Sequence, residues 1–170
     1  DAEIDTNLIA AMAFLKHPQS GETYLAATAE DGVYLWKVID QNSDLRFDPV
    51  FKKPFNAGKV MFVDTLVTTY GFFGGLASFD LSGNPIASYS SSMVFDAARV
   101  GATDVVAAGL GDTLLLWNAR TGQAIAKKNL LKSVSFISTG DVLGNGQTQI
   151  VVLSSRSLFL FDATGNQILE

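Results

Sequence analysis

A pattern that recurs about every 40 residues constrains this chain of 170 residues more than any other feature of its sequence. Four aromatic residues, Trp36, Phe79, Trp117 and Phe161, are separated by 43, 38 and 44 residues. Each of them ends an apolar run that follows a short turn and an earlier apolar run. A single period of this length predicts an array of similar supersecondary units that bury their apolar faces against one another.

The residues after these aromatic anchors repeat as well. A polar residue, a glycine turn and then an isoleucine follow the last three anchors, in the order Asp80, Gly83 and Ile86; Asn118, Gly122 and Ile125; Asp162, Gly165 and Ile168. The first unit departs from this rule, since Lys37 follows Trp36. Several features that coincide at one period argue against chance and indicate a turn of the same type in three units.

The local chemistry of the repeat favours strands over helices. Short apolar runs, such as residues 114–117, 150–153 and 158–161, are bounded by Gly, Ser, Asp or Asn. The segment 7–15 has the composition of a capped helix, but its register in the repeat makes it the first strand of the first unit. We therefore interpret it as a strand.

Each unit is expected to be a sheet of four antiparallel strands. The run Ile150–Leu153 is apolar on both faces, and such a strand must be covered on both sides. Sheets stacked face to face around an axis satisfy this requirement. The sequence therefore predicts an all-β fold, a β-propeller in one domain over residues 1–170, with blades at about 7–53, 56–91, 93–129 and 131–170.

Four units leave two kinds of ring open. The chain closes alone as a small ring, or it forms half of a larger ring that a second copy, a longer chain or another protein completes. The short final strand 167–170 leaves an unpaired edge, and residues 3–6 are a candidate to pair with it in the same chain or in a partner.

Several motifs resemble known propeller repeats. The segments 31–38 (DGVYLWKV) and 111–125 (GDTLLLWNARTGQAI) resemble inner strands of WD40-like and quinoprotein-like blades. The segment 140–166 resembles the FG-GAP blades of propellers of the integrin-α type. The resemblance implies a propeller architecture from about residue 7 to the end of the chain. It also implies a calcium loop in the last blade, with Asp141 and Asn145 as ligands, although Leu143 and Gln149 stand where acidic ligands are expected.

Composition excludes several classes of site. With 12 Lys and Arg against 17 Asp and Glu, the chain has no basic surplus for nucleic acid. The absence of cysteine excludes thiolate nucleophiles, iron–sulfur clusters and cysteine-ligated zinc. No segment is apolar for long enough to be a membrane span. Charged residues make up only 17%, below the roughly 25% of ordinary soluble domains, which indicates that some apolar surface is intended for a partner.

Two short stretches are candidate partner-binding sites. Phe72 and Phe73 lie between glycines, in a hairpin tip that either anchors a partner or turns its rings into the neighbouring blades. Lys52 and Lys53 lie in the irregular stretch 40–55, which is expected to contain the outer strand of the first unit and a crossover; they either dock an acidic partner or are solvated in a loop. His17, the one histidine, lies in a polar loop without the context of a catalytic triad, so we expect no catalytic residue.

The sequence thus predicts a non-catalytic binding or scaffold module for protein–protein interaction, which requires no cofactor and acts within a larger assembly. The alternative is a secreted propeller that binds or processes carbohydrate in its central channel, with or without calcium. The sequence assigns no compartment and identifies no particular partner.

Overall fold

A computed structural model describes residues 9–41, 44–90 and 93–169. Sixteen β-strands occupy this part of the chain: β1 Ile9–Lys16, β2 Thr23–Ala29, β3 Gly32–Gln41, β4 Asp44–Lys53, β5 Lys59–Val63, β6 Leu66–Gly71, β7 Gly75–Phe79, β8 Pro85–Tyr89, β9 Val94–Arg99, β10 Val105–Leu110, β11 Thr113–Asn118, β12 Ala124–Asn129, β13 Val134–Gly140, β14 Gln149–Ser154, β15 Ser157–Asp162 and β16 Gln167–Leu169. The strand interpretation of the first segment is confirmed by β1.

The strands form four antiparallel sheets, each made of four strands that are consecutive in the chain. We number these sheets as blades 1 to 4 in chain order. The all-β propeller predicted from the repeat is confirmed, because each repeat unit folds as one blade. The first strands of neighbouring blades, β1 and β5 or β9 and β13, lie against each other.

Three apolar clusters hold the blades together, one at each interface along the chain. Phe79 packs with Val33 and Leu35 of blade 1. Trp117 packs with residues of blade 2, and Phe161 packs with residues of blade 3. The repeated aromatic anchor is therefore the residue that each blade inserts toward the blade before it.

The polar residue after each anchor caps the turn that follows. The Oδ1 atom of Asp80 accepts hydrogen bonds from the N–H groups of Ser82 and Asn84, both at 2.8 Å. The same pattern recurs at Asp162, and Asn118 caps its turn through two N–H groups in the same way. The glycine of each turn has a positive φ, +87° at Gly165, which a side chain would strain. This turn chemistry explains why the repeat signature is so regular.

The stretch 40–55 contains the expected outer strand of blade 1, which is β4. Strands β3 and β4 are each ten residues long and form a long hairpin, with Gln41 paired to Asp44. Pro49 is tolerated inside β4 because the pairing shifts register next to Trp36, at a bulge, where a missing N–H breaks no regular ladder.

The four blades form an open row. Met12 and Phe14 on blade 1 are 58% and 66% exposed, and Phe136 and Leu158 on blade 4 are 52% and 56% exposed. Within the described ranges, no buried apolar cluster joins blade 4 to blade 1. Of the two rings that the sequence left open, the structure therefore corresponds to a partial ring with two free ends. The proposed edge segment 3–6 lies outside the described residues.

Candidate protein-interaction surfaces

The hairpin between β6 and β7 carries the most exposed aromatic pair of one rim. Phe73 is 75% exposed, and its ring meets Phe72 edge to face, with centroids 5.0 Å apart. Phe72 in turn packs edge to face on Phe95 of blade 3, at 5.5 Å. Phe73 therefore lies at the surface, and Phe72 is partly exposed where blade 2 meets blade 3.

Backbone hydrogen bonds between blades hold this rim in place. The N–H of Met93 donates to the carbonyl of Phe72, and the N–H of Gly111 donates to the carbonyl of Met93. The N–H of Val134 then donates to the carbonyl of Gly111, so blades 2, 3 and 4 are linked in series. A tip fixed in this way loses little conformational freedom when it binds.

Further apolar side chains surround the tip on the same rim. Met93 is 42% exposed, and Leu131, in the connection before β13, is exposed almost completely. Both residues have a positive φ, and Met93 takes part in the hydrogen bonds that link the blades. The opposite rim carries the ion pairs of Arg120 with Asp64 and Asp104, and also the exposed Val142 and Leu143. Exposed apolar side chains therefore recur at three connections of the rim that carries the tip, although isolated apolar residues are ordinary on protein surfaces.

The predicted lysine pair lies on strand β4 and not in a loop. The Lys52 ammonium is 2.5 Å from an Asp31 carboxylate oxygen and lies over the ring of Tyr34. The hydrogen bond from Lys52 lowers the pKa of Asp31, and the same bond raises the pKa of Lys52. Lys53 is half-buried next to the turn of blade 2. A role of these lysines in binding an acidic partner stays a prediction, with Lys52 already paired.

The predicted calcium loop is closed by its own hydrogen bonds. The two carboxylate oxygens of Asp141 accept the N–H groups of Asn145 and Gly146, at 2.9 and 2.8 Å. The side-chain oxygen of Asn145 accepts from Gln147 and from the Gln149 amide. With these hydrogen bonds the loop forms a complete turn without metal. Calcium binding at Asp141 and Asn145 stays a prediction.

Other polar groups also have local structural roles. The Nδ1 atom of His17 accepts N–H groups of Gln19 and Ser20 in its own loop, at 3.3 and 3.2 Å. Over residues 9–41, 44–90 and 93–169, no three acidic or histidine side chains are grouped to hold a metal ion. In the same ranges, no helix has the length and apolar character needed to cross a membrane.

One buried acid, which sequence reasoning missed, links three blades. Asp96 on β9 accepts the Lys59 ammonium at 3.0 Å and the Tyr70 hydroxyl at 3.4 Å, both from blade 2. Its other oxygen accepts the N–H of Ile137 in blade 4 at 2.9 Å. Burial and the charge of Asp96 raise the pKa of Tyr70. No sequence signal could identify Asp96, because its partners lie 26 to 41 residues away.

The two free ends of the row are the other surfaces that tertiary structure reveals. We call the outer face of blade 1, formed by Met12, Leu25, Ala27 and Trp36, the blade 1 end face. The long hairpin lies beside this face through Leu45, Phe47 and Pro49, and between the face and the hairpin is a groove of about 600 Å³.

We call the outer face of blade 4, formed by Phe136, Leu153, Leu158 and Leu169, the blade 4 end face; its members are all exposed.

Comparison with known proteins identifies the fold but no family. No protein-family model matches the chain, and no curated protein matches it. The crystal structure of the computationally designed Ika4 protein superposes with a TM-score of 0.69 at 18% identity, over 95% of each chain. The Dos1 propeller superposes with a TM-score of 0.64 at 16% identity, over 97% of this chain and 49% of that one.

BBS1N, whose crystal structure is a complex with ARL6DN, superposes with a TM-score of 0.68 at 14% identity, over 98% of this chain and 56% of that chain. The chain therefore spans about half of the length of the Dos1 and BBS1N chains. At these identities the likeness shows the β-propeller fold alone.

Proposed function

We propose that this propeller is a non-catalytic module for protein–protein interaction, and that the Phe72–Phe73 tip is its anchor for a protein partner. The observation that carries the proposal is the exposed aromatic pair on a rim fixed by hydrogen bonds between blades. Large aromatic side chains on rigid supports supply most of the binding energy at many interfaces. Met93 and Leu131 extend the apolar surface that such a partner would cover.

The chemistry of the remaining surface supports binding over catalysis. The polar groups that the sequence offered for a reaction or a metal have local hydrogen bonds in their own turns or loops: His17, Asp141 and Asn145. The propeller neighbour BBS1N was crystallised in a complex with another protein, ARL6DN, which supports a role of this kind for the fold.

Site-specific photocrosslinking tests the proposal. A photoreactive phenylalanine analogue at position 73, in cells that produce the protein, is expected to capture a protein partner. The same analogue at Ile86, a half-exposed position on the outer strand of blade 2, is the matched control and is expected to capture none. The captured protein is then purified and its affinity measured by calorimetry.

Replacement of the anchor by alanine gives the quantitative readout. Phe73→Ala is expected to weaken binding by about 30-fold or more, because an anchor residue contributes at least about 2 kcal/mol. Ile86→Ala is expected to leave the affinity unchanged. An affinity that is the same for Phe73→Ala and the wild type would show that the tip is not the anchor.

A further inference from the structure

All three interfaces between blades follow one register rule. In each following blade, the aromatic anchor pairs with an apolar residue of the second strand: Val67 with Phe79, Val106 with Trp117, and Ile150 with Phe161. This row points to the preceding blade and is buried there. We call the side that carries the row the back face of a blade and the opposite side its front face.

The blade 1 end face is a back face without a preceding blade. Leu25 pairs with Trp36 in the register of the other anchor pairs. The opposite side chains, Val33 and Leu35, are fully buried against blade 2, so Trp36 points away from it, into the groove beside the long hairpin, where it is 8% exposed. Met12, which pairs with Ala27 on this face, occupies the position that buried Ala97 has in blade 3.

The blade 4 end face is a front face without a following blade. Leu158 pairs with Leu153 in the register in which Leu114 pairs with Gly109 in blade 3. Leu114 is completely buried by blade 4, whereas Leu158 is 56% exposed. The two free ends are thus the two unlike halves of the interface that the chain builds three times internally.

We propose that a second copy of this chain completes the ring, with the blade 1 end face of each copy packed on the blade 4 end face of the other. Two identical contacts related by a twofold axis close such a ring and leave no apolar end exposed. The ring has eight blades, within the range that propellers adopt. Superposition of the whole chain on about half of the Dos1 propeller fits an arc that turns as part of a larger ring.

The long hairpin of blade 1 fits a role in this contact. In blades 2 and 4, the turn after the anchor packs on the outer part of the preceding blade; a Cβ on Gly83 would meet Phe51, and one on Gly165 would meet Leu116. Blade 1 replaces this turn with the hairpin that carries exposed Leu45. The hairpin therefore reaches farther toward a preceding blade, where the partner's β16 would lie.

Sedimentation velocity of the 170-residue chain between about 1 and about 100 micromolar tests the proposal. The wild type is expected to sediment as a species of twice the 18.2 kDa of the chain. Met12→Lys and Leu158→Glu are each expected to produce monomers, since either change places a charge in both contacts of the ring. Both positions are more than half exposed in the single chain, so circular dichroism is expected to show an unchanged fold. Ile125→Glu on the outer strand of blade 3 is the matched control and is expected to stay dimeric.

Mixing the two variants identifies which faces meet. A dimer of one Met12→Lys chain and one Leu158→Glu chain has two contacts. One contact is native, and in the other the introduced lysine would face the introduced glutamate. The dimer is therefore expected to return. Contacts between like ends would not restore it. A wild-type chain that stays at 18.2 kDa over the whole concentration range, or a dimer that survives both single variants, would overturn the proposal. Such a result leaves the Phe72–Phe73 anchor untouched, because Phe73→Ala is expected to alter partner binding and not the sedimentation of the chain.

Discussion

Replacement of Asp96 by alanine is expected to destabilise the fold more than any other removal of a single charged side chain discussed above. Asp96 has a side chain that is 9% exposed, and its carboxylate joins blade 2 to blade 4 from its place in blade 3. The alanine variant leaves the N–H of Ile137 buried without this acceptor, which costs about 1–3 kcal/mol. Loss of the contact to Lys59 adds about 0–1 kcal/mol, because that ammonium is half exposed.

The expected decrease in the free energy of unfolding is therefore about 1–4 kcal/mol. Tyr70 contributes little to the loss, since its hydroxyl keeps the carbonyl of Ala97 as an acceptor at 3.2 Å. Asp96→Asn retains an oxygen that can accept the N–H of Ile137, so about 1–2 kcal/mol is expected. Lys59→Met, the matched control on the exposed side of the pair, is expected to cost less than about 1 kcal/mol.

Urea unfolding followed by circular dichroism measures these differences. All variants are compared at one protein concentration, because association would make the midpoint depend on concentration. The order Asp96→Ala, Asp96→Asn, Lys59→Met is the result that the geometry requires. An alanine variant within about 0.5 kcal/mol of the wild type, the range of ordinary surface changes, would refute the role of Asp96 as the link between blades.

Other predictions test the turns, the core and the calcium loop. Gly165→Ala is expected to lower the free energy of unfolding in urea by about 1–3 kcal/mol, because φ is +87° and the new Cβ would meet Leu116 at 3.1 Å. Gly140→Ala is the control and should be near neutral, since there is open space around Gly140. Equal effects of the two changes would contradict the turn argument. Hydrogen bonds from Thr164 and Asn166 lower the pKa of Asp162 to about 2 in the folded protein. The ionised Asp162 therefore stabilises the fold fully above its unfolded pKa of about 4, and this contribution is lost as the pH falls through about 2. Asp162→Asn should therefore lose less stability than the wild type between about pH 4 and about pH 2, and parallel acid titrations would count against this. Phe161→Ala should cost about 3–5 kcal/mol from its buried position, and a cost below about 1 kcal/mol would mean that the anchor is not part of the core. Calcium titration by calorimetry tests the predicted loop: heat at millimolar metal that disappears in Asp141→Asn would establish it as a site, and no heat would remove it.

The comparison of sequence with structure shows where local reasoning is sufficient. The strands of the last two units lie close to their predicted positions, because alternating turn chemistry and apolar runs fix them locally. The role of Asp80 and Asp162 as turn caps follows from their place before a glycine turn. In the segment 40–55 the outer strand was expected, but two prolines and mixed charges concealed the length of its hairpin and the bulge at Pro49.

The candidate surfaces divide in the same way. The aromatic tip at Phe72 and Phe73 was visible in the sequence as rings between glycines, but only the structure places the rings at the surface and supports them on Phe95. The groove beside Trp36 and the exposed face around Leu158 had no signal of their own, because their residues have the same pattern as those buried between blades.

Residue order along the chain was enough to specify the repeating unit: strand positions, the turn after each anchor and the need to cover both faces of every sheet. These are properties of segments shorter than one blade, and hydrogen bonding and apolar periodicity specify them locally. It took the assembled fold to establish that, among the described residues, no apolar cluster joins the first blade to the last, that Asp96 joins three blades, and which faces stay uncovered there. Those outcomes depend on the angle between successive sheets, which arises from the packing of side chains that are far apart in the chain.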